Sequence, residues 1–375
     1  MILGIWFGNP ILDALVKIGV FIVPVMTVTV MFLIWAERKV VGRFQARLGP
    51  MRTGPFGLLQ SVADALKLLT KEDVRPALAD RWSFELAPFA LFIPIFITFV
   101  ALPFTQDWVL RNLDLGLFYV LAALALSTLG LLLAGWGSAN KYALLGGVRA
   151  AAQMISYELP MVFALLAVAV VAGTLNLNAM IEQQARVPYV VYQPLAFVIF
   201  LIAATAELHR QPFDMPVAES EVVGGPTVEY SGIRWSMFYL AEYASLWITS
   251  ILGAVIFLGG WAWPYGQEWG LPWQLALGAV KSGLIIFIVF WIRASMPRMR
   301  IDQLMSYAWK VLLPLTFVAL LVNGFVVVYD LPLWVLTVAS VLILAGTVAG
   351  IQRAVKRKVR AQVGAVRSLA YARRS

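Results

Sequence analysis

Four carboxylates mark the ends or interiors of strongly apolar stretches: Glu37, Glu158, Glu207 and Glu242, the last beside Tyr243. Ionisable groups at bilayer depth are costly, and they ordinarily face a protein interior or a water-filled path and mark ion or proton routes. Four more acids, Asp214, Glu219, Glu221 and Glu229, crowd one connection that holds only Arg210 and Arg234 as basic residues. Carboxylates this close repel one another, and partial burial raises their pKa, so the group has the chemistry of a proton relay. Taken singly each acid has a plainer explanation: Glu37 pairs with Arg38 or Lys39, and Asp214 starts a helix. As a set converging from different apolar stretches they point to function. Lys281 stands as a counter-charge in or beside another apolar stretch, or snorkels to its interface.

Other chemistries are excluded. The chain has no Cys and a single His, His209. Thiolate-held iron–sulfur clusters, CxxCH haem attachment and a His-rich metal site therefore cannot lie within it, and the metal site is none. No P-loop or Rossmann glycine pattern is present, and His209 receives no role.

The elements that hold these acids must be transmembrane. Of 375 residues 61% are hydrophobic and 13% charged, far from the roughly 25% charged of a soluble domain. A hydrocarbon core about 30 Å thick needs about 20 apolar residues per helix. Such stretches recur without the alternation of a barrel, so the fold is an all-α integral membrane protein, a bundle of about nine transmembrane helices with amphipathic surface helices in its cytoplasmic loops. The first stretch, 11–35, lacks the flanks of a signal peptide and is retained as a span. The others fall at 86–103, 118–136, 154–173, 192–208, 237–260, 274–294, 310–329 and 332–351.

Residues 1–351 thus form a single transmembrane helical domain, with a long cytoplasmic loop at 36–85 and the acidic loop at 207–236, followed by a basic cytoplasmic tail at 352–375. All but Lys17, Arg111, Arg186 and Lys281 of the 29 Lys and Arg lie in the odd-numbered loops and the tail. Basic residues collect on the cytoplasmic side, which places the N-terminus outside and the C-terminus in the cytoplasm. Trp261, Trp263, Tyr265, Trp269 and Trp273 crowd one opposite loop as expected for interfacial anchors. Within the first loop Gln60, Asp64, Lys67 and Lys71 form a polar stripe opposite Phe56, Leu59, Val62, Ala63, Leu66 and Leu69, a helix suited to the membrane surface or a partner. In the acidic loop, Pro212, Asp214 and Pro216 precede, and Gly224 to Pro226 follow, a short helix. Gly346 and Gly350 space a GxxxG for close packing, and the tail suits anionic lipid or an acidic partner rather than nucleic acid.

Four long stretches in order resemble the signatures of the H-type membrane component of respiratory complex I (NADH:quinone oxidoreductase), the mitochondrial subunit-one family, and the resemblance covers nearly the whole chain. They are AERKVVGRFQARLGPMRTGPFGLLQSVADALKLLTKED from Ala36 to Asp73, and GGVRAAAQMISYELP from Gly146 to Pro160. The third runs from Ala206 through Pro212, Phe213, Asp214, Glu219, Glu221, Glu229 and Tyr230 to Glu242 and Tyr243; the fourth is WIRASMPRMRIDQLMSYAWKVLLPL from Trp291 to Leu315.

The resemblance implies that the first loop and its surface helix help form a quinone cavity, with Arg38, Arg43, Phe44, Arg47, Phe56, Phe213, Tyr230, Arg293 and Arg298 as cavity residues. It implies that Glu37, Asp64, Glu158, Glu207, Asp214, Glu219, Glu221, Glu229, Glu242 and Lys281 couple that cavity to proton movement in a bacterial inner membrane or equivalent. It further implies no cofactor on this chain alone and no catalytic group, with quinone as substrate and iron–sulfur clusters and flavin in partner subunits. The implied partners are membrane lipid, peripheral-arm iron–sulfur and quinone-site subunits, small membrane subunits and antiporter-like subunits. One departure stands out: Val217 occupies the place, three residues after Asp214, where many members carry Glu. Competing readings are the equivalent component of a membrane-bound hydrogenase or other donor dehydrogenase, a self-contained proton-coupled transporter, and a structural anchor.

Overall fold

The computed structural model describes residues 16, 19, 23–106, 108–262 and 270–372. It is 75% helical, with no strand among the described residues. In hydrocarbon every backbone N–H and C=O needs an internal partner, and the helix supplies it within one segment. Among the described residues seven helices are long and apolar enough to cross a membrane: α3 (Arg81–Thr98), α4 (Gly116–Gly137), α5 (Lys141–Ala172), α10 (Gly232–Leu258), α11 (Leu271–Ser295), the run Ile301–Val328, and the first 20 residues of α14 (Trp334–Ala372). The run Ile301–Val328 comprises α12 (Ile301–Tyr307), a π turn at Ala308–Leu312 and α13 (Leu313–Val328).

Before these come α1 (Val23–Phe44) and the surface helix α2 (Gln60–Thr70), and between α5 and α10 lie α6 (Leu177–Gln183), α7 (Tyr189–Tyr192), α8 (Pro194–Glu207) and α9 (Glu219–Val222). The expected first span at 11–35 is described only from Val23 onward, apart from 16 and 19; Lys17, Trp263, Tyr265 and Trp269 lie outside the described residues. Helix α1 continues to Phe44, so Glu37, Arg38 and Arg43 ride on one rigid rod with the span.

Helix α10 is the most enclosed span, 78% buried, against α1, α2, α3 and α11. Helix α5 packs on α4, α8 and α13. Glycines permit these approaches. A Cβ on Gly130 of α4 would stand 2.5 Å from the Leu91 backbone nitrogen of α3, and one on Gly146 of α5 would overlap Gly225 of the acidic loop.

Three segments differ from the sequence-based expectation. The span expected at 192–208 is the 14-residue α8, about 21 Å long by helical rise and shorter than a bilayer core. Pro194 sets the first helical position and its ring disfavours helix at the preceding residue; Gln193 sits at φ −128°, which separates α8 from α7. Helix α5 begins at Lys141 rather than 154, capped by the Asn140 side chain on the Tyr142 N–H at 2.8 Å. Trp261, expected as an interfacial anchor, is buried at 1% exposure, because Gly259 and Gly260 adopt positive φ and turn the chain back on itself.

Substitution of Gly130 by Ala should lower the melting temperature of the detergent-solubilised assembly, since overpacking costs about 1–3 kcal/mol. Gly283→Ala, where nothing lies within 4 Å, should leave it unchanged in the same thermal scan.

Candidate functional site

Glu37 is 5% exposed. Its side chain accepts from two arginines far away in sequence: Arg210 Nη1 reaches Oε2 at 2.6 Å, and Arg293 Nη1 pairs with Oε1. Arg210 is itself 2% exposed. It also faces Glu242 Oε1 at 3.1 Å, and its guanidinium lies 4.4 Å from the Tyr243 ring centre. The Tyr243 hydroxyl meets that of Tyr239 at 3.2 Å. Two cations and two anions, drawn from α1, α10, α11 and the loop after α8, therefore meet at one point, with Glu37 and Arg210 buried and Glu242 and Arg293 half-buried around them. Charges removed from water persist only when paired and hydrogen-bonded.

The loop that carries Arg210 is held from α5. Gln153 donates through Nε2 to the Ala206 and Phe213 carbonyls, each at 2.7 Å. Phe213 is buried against Tyr157, ring centres 5.5 Å apart. His209 takes φ 50°, and its imidazole bonds the Ala150 backbone; burial pushes its pKa down to about 4, so it is neutral at pH 7. Burial pushes Asp214 up to about 6, although Arg298 and Arg210 pull the other way. Arg298 Nη2 also donates to the Asp214 carbonyl.

Beside the ion cluster is a cavity of about 590 Å³, lined by Glu207, Arg210, Asp214, Glu219, Tyr230, Glu242, Tyr243 and Arg293 together with apolar Leu91 and Ile95. Buried polar atoms without a protein partner concentrate there: Glu207 Oε2, His209 Nε2, Arg210 Nη2 and Gln153 Oε1. Such atoms are normally satisfied by ordered water. Glu158 lies close enough to Glu207 for the two charges to repel. The arrangement can carry protons between carboxylates and hold a polar headgroup against arginines.

Of the residues singled out from sequence, Glu207, Asp214, Glu219, Tyr230, Glu242 and Arg293 line this cavity, with Glu37 behind them. Glu221 pairs with Arg149 at 2.6 Å, and Glu229 accepts from Asn140 at 2.5 Å, both away from it. Tyr230 also braces the fold, stacked on Phe84 at 4.1 Å and donating to its carbonyl. Lys281 donates to the Ala262 carbonyl near the other end of the bundle.

A second cluster forms around α2. Asp64 takes Arg38 at 2.7 Å and Gln60 at 3.1 Å, so the first half of the polar stripe docks on α1 while Lys67 and Lys71 stay exposed, and the apolar face turns outward: Phe56 is 73% exposed, and Phe44, Leu59, Leu66 and Leu69 are exposed with it. Phe56 sits at φ 53° in a single turn, Pro55–Gly57, so α2 begins at Gln60. Arg43 and Arg47 are exposed at the end of α1. Sequence reasoning missed the central role of Arg210; the available signal was a lone Arg three residues after Glu207, between an apolar helix and Pro212.

The family model described as NADH dehydrogenase matches residues 16–324. The chain is 48% identical over 316 residues to the NADH-quinone oxidoreductase H subunit of Geobacillus kaustophilus (strain HTA426), covering 82% of this chain and 92% of that protein. The chain belongs to the family of NADH-quinone oxidoreductase H subunits. The H subunit of Dehalococcoides mccartyi (strain CBDB1) is 44% identical over 298 residues, 80% of this chain and 82% of its own, and that of Anoxybacillus flavithermus (strain DSM 21510 / WK1) is 49% identical over 312 residues, 82% and 92%. The chain is accordingly a multi-pass membrane component of complex I, an oxidoreductase assembly. The family match stops at residue 324, so α14 lies beyond it.

Arg210→Met should destabilise the assembled protein by about 3–5 kcal/mol, the usual cost of stranding a buried charge. The double variant Arg210→Met/Glu37→Gln should recover part of the loss, read as assembled complex per unit membrane and as its melting temperature. Asp214 holds its proton up to about 6 when folded, against 3.8 for the free side chain. Between those values the folded state binds the extra proton, so its stability falls as pH rises across that window. Protection factors of the 211–222 amides, with the intrinsic base-catalysed exchange rate at each pH divided out, should fall as pH rises over this range in the wild type and stay level in Asp214→Asn.

Proposed function

We propose that this protein forms much of a quinone-binding cavity and couples quinone reduction to proton translocation through its chain of acidic residues. The observation that carries the reading is the cavity walled by four carboxylates and two arginines, backed by the Glu37–Arg210–Arg293 ion pairs. A quinone headgroup presents two carbonyl oxygens, and arginine N–H groups are the donors that bind developing negative charge on such oxygens. The outward apolar faces of α1 and α2 suit the isoprenoid tail and the lipid it comes from, with Arg38, Arg43, Arg47, Phe44 and Phe56 as the surrounding wall.

Electrons come from iron–sulfur clusters and flavin held by partner subunits, for a chain without Cys has no ligands of its own for such a cluster. What this chain supplies is position and charge. Two-electron reduction of a quinone takes up two protons, and removal of a proton from Glu242 or Asp214, or addition of negative charge near Arg210, which itself keeps its protons, alters the balance at Glu37 and Glu207. Glu207 and Glu158 then continue the route along α8 and α5 toward neighbouring antiporter-like subunits. The charge asymmetry of the loops supports a cytoplasmic placement of this cavity, with the C-terminus on the same side and the N-terminus outside.

Glu207→Gln should lower NADH-driven proton pumping at least several-fold in proteoliposomes while NADH oxidation with an artificial acceptor proceeds at the wild-type rate. Pumping at the wild-type ratio of protons to electrons in a fully assembled complex would remove Glu207 from the route. Copurification of inhibitor-sensitive NADH:quinone reductase activity with the chain tests the wider reading.

A further inference from the structure

Helix α14 runs unbroken from Trp334 to Ala372, 39 residues, of which only Trp334–Arg353 is apolar enough to span. At about 1.5 Å per residue the remainder extends about 28 Å past the end of the span. The extension carries no acid; Arg353 closes the span, and Lys356, Arg357, Lys358 and Arg360 fall in the first two turns beyond it. The span that delivers them is 11% buried, and among the described residues it packs chiefly on α7, α8 and α13. The extension therefore leaves the bundle at a face that this chain itself leaves open.

We propose that residues 353–360 form a binding site for anionic phospholipid headgroups. A cluster of four or more Lys and Arg directly after a span lies at headgroup depth and is attracted by an anionic surface. The segment lies beyond the residues that the family model matches, and the site is independent of the quinone reading.

The test places the intact complex in lipid nanodiscs of phosphatidylcholine alone or of phosphatidylcholine with phosphatidylglycerol, and follows trypsin cleavage after Arg367 by mass spectrometry. Cleavage should be about tenfold slower with phosphatidylglycerol, should return to the faster rate at high salt, where screening shortens the reach of charge, and should lose its lipid dependence when Arg353, Lys356, Arg357, Lys358 and Arg360 are all changed to Gln. Equal rates in the two lipids would overturn the proposal. Protection that is the same in both lipids and disappears when the peripheral arm is stripped would also overturn it, in favour of a protein partner.

Discussion

A buried guanidinium with more than one anion to serve governs the arrangement of this protein. Arg210 is almost wholly removed from water, so its charge must be met inside the protein, and Glu37 and Glu242 meet it from helices that are otherwise separate in the chain. Arg293 takes the second oxygen of the shared carboxylate. The spacing of α1, α10 and α11 around the cavity follows from this requirement, because a shift of any of the three exposes an unpaired charge to a low dielectric. The apolar packing of α3, α4 and α5 supplies bulk stability; the ion cluster decides where the acidic loop sits. A change of charge in the cavity then bears on helix position as well as on protonation.

Much of the architecture was legible in the sequence because lipid imposes length, apolarity and charge asymmetry in one dimension. The helical class, most spans and the polar stripe of α2 follow from such local patterns. The acids were also visible, since a carboxylate in an apolar run breaks the pattern. The partner of each was not. Glu37 and Arg210 lie 173 positions apart, and sequence proximity pointed instead to Arg38 or Lys39, whereas Arg38 turns away to Asp64. The shortness of α8 was hidden because its flanking residues are apolar, and only the proline before it says that helix must stop. Trp261 departs from expectation for a related reason: composition places aromatic residues near an interface, but a two-glycine turn decides that this one goes inward.

The surface helix α2 shows how polarity can be inverted at a membrane. Its hydrogen-bonding face is spent on α1 and the turn before it, through Asp64, Gln60 and Thr53, leaving its oily face outward. In water that would be a liability for aggregation. Beside a bilayer it is a place where a lipophilic molecule can leave the acyl chains without crossing a polar barrier.

The two hydrogen bonds of Gln153 have a mechanical consequence. One amide nitrogen ties together the Ala206 and Phe213 carbonyls at the two ends of the turn that bears Arg210. The turn cannot swing gradually, since any displacement has to break buried bonds whose loss leaves polar groups stranded, each at a cost of about 1–3 kcal/mol. Gln153 shares its helix with Glu158, so the Arg210 turn and that carboxylate are held from one rod and cannot shift independently.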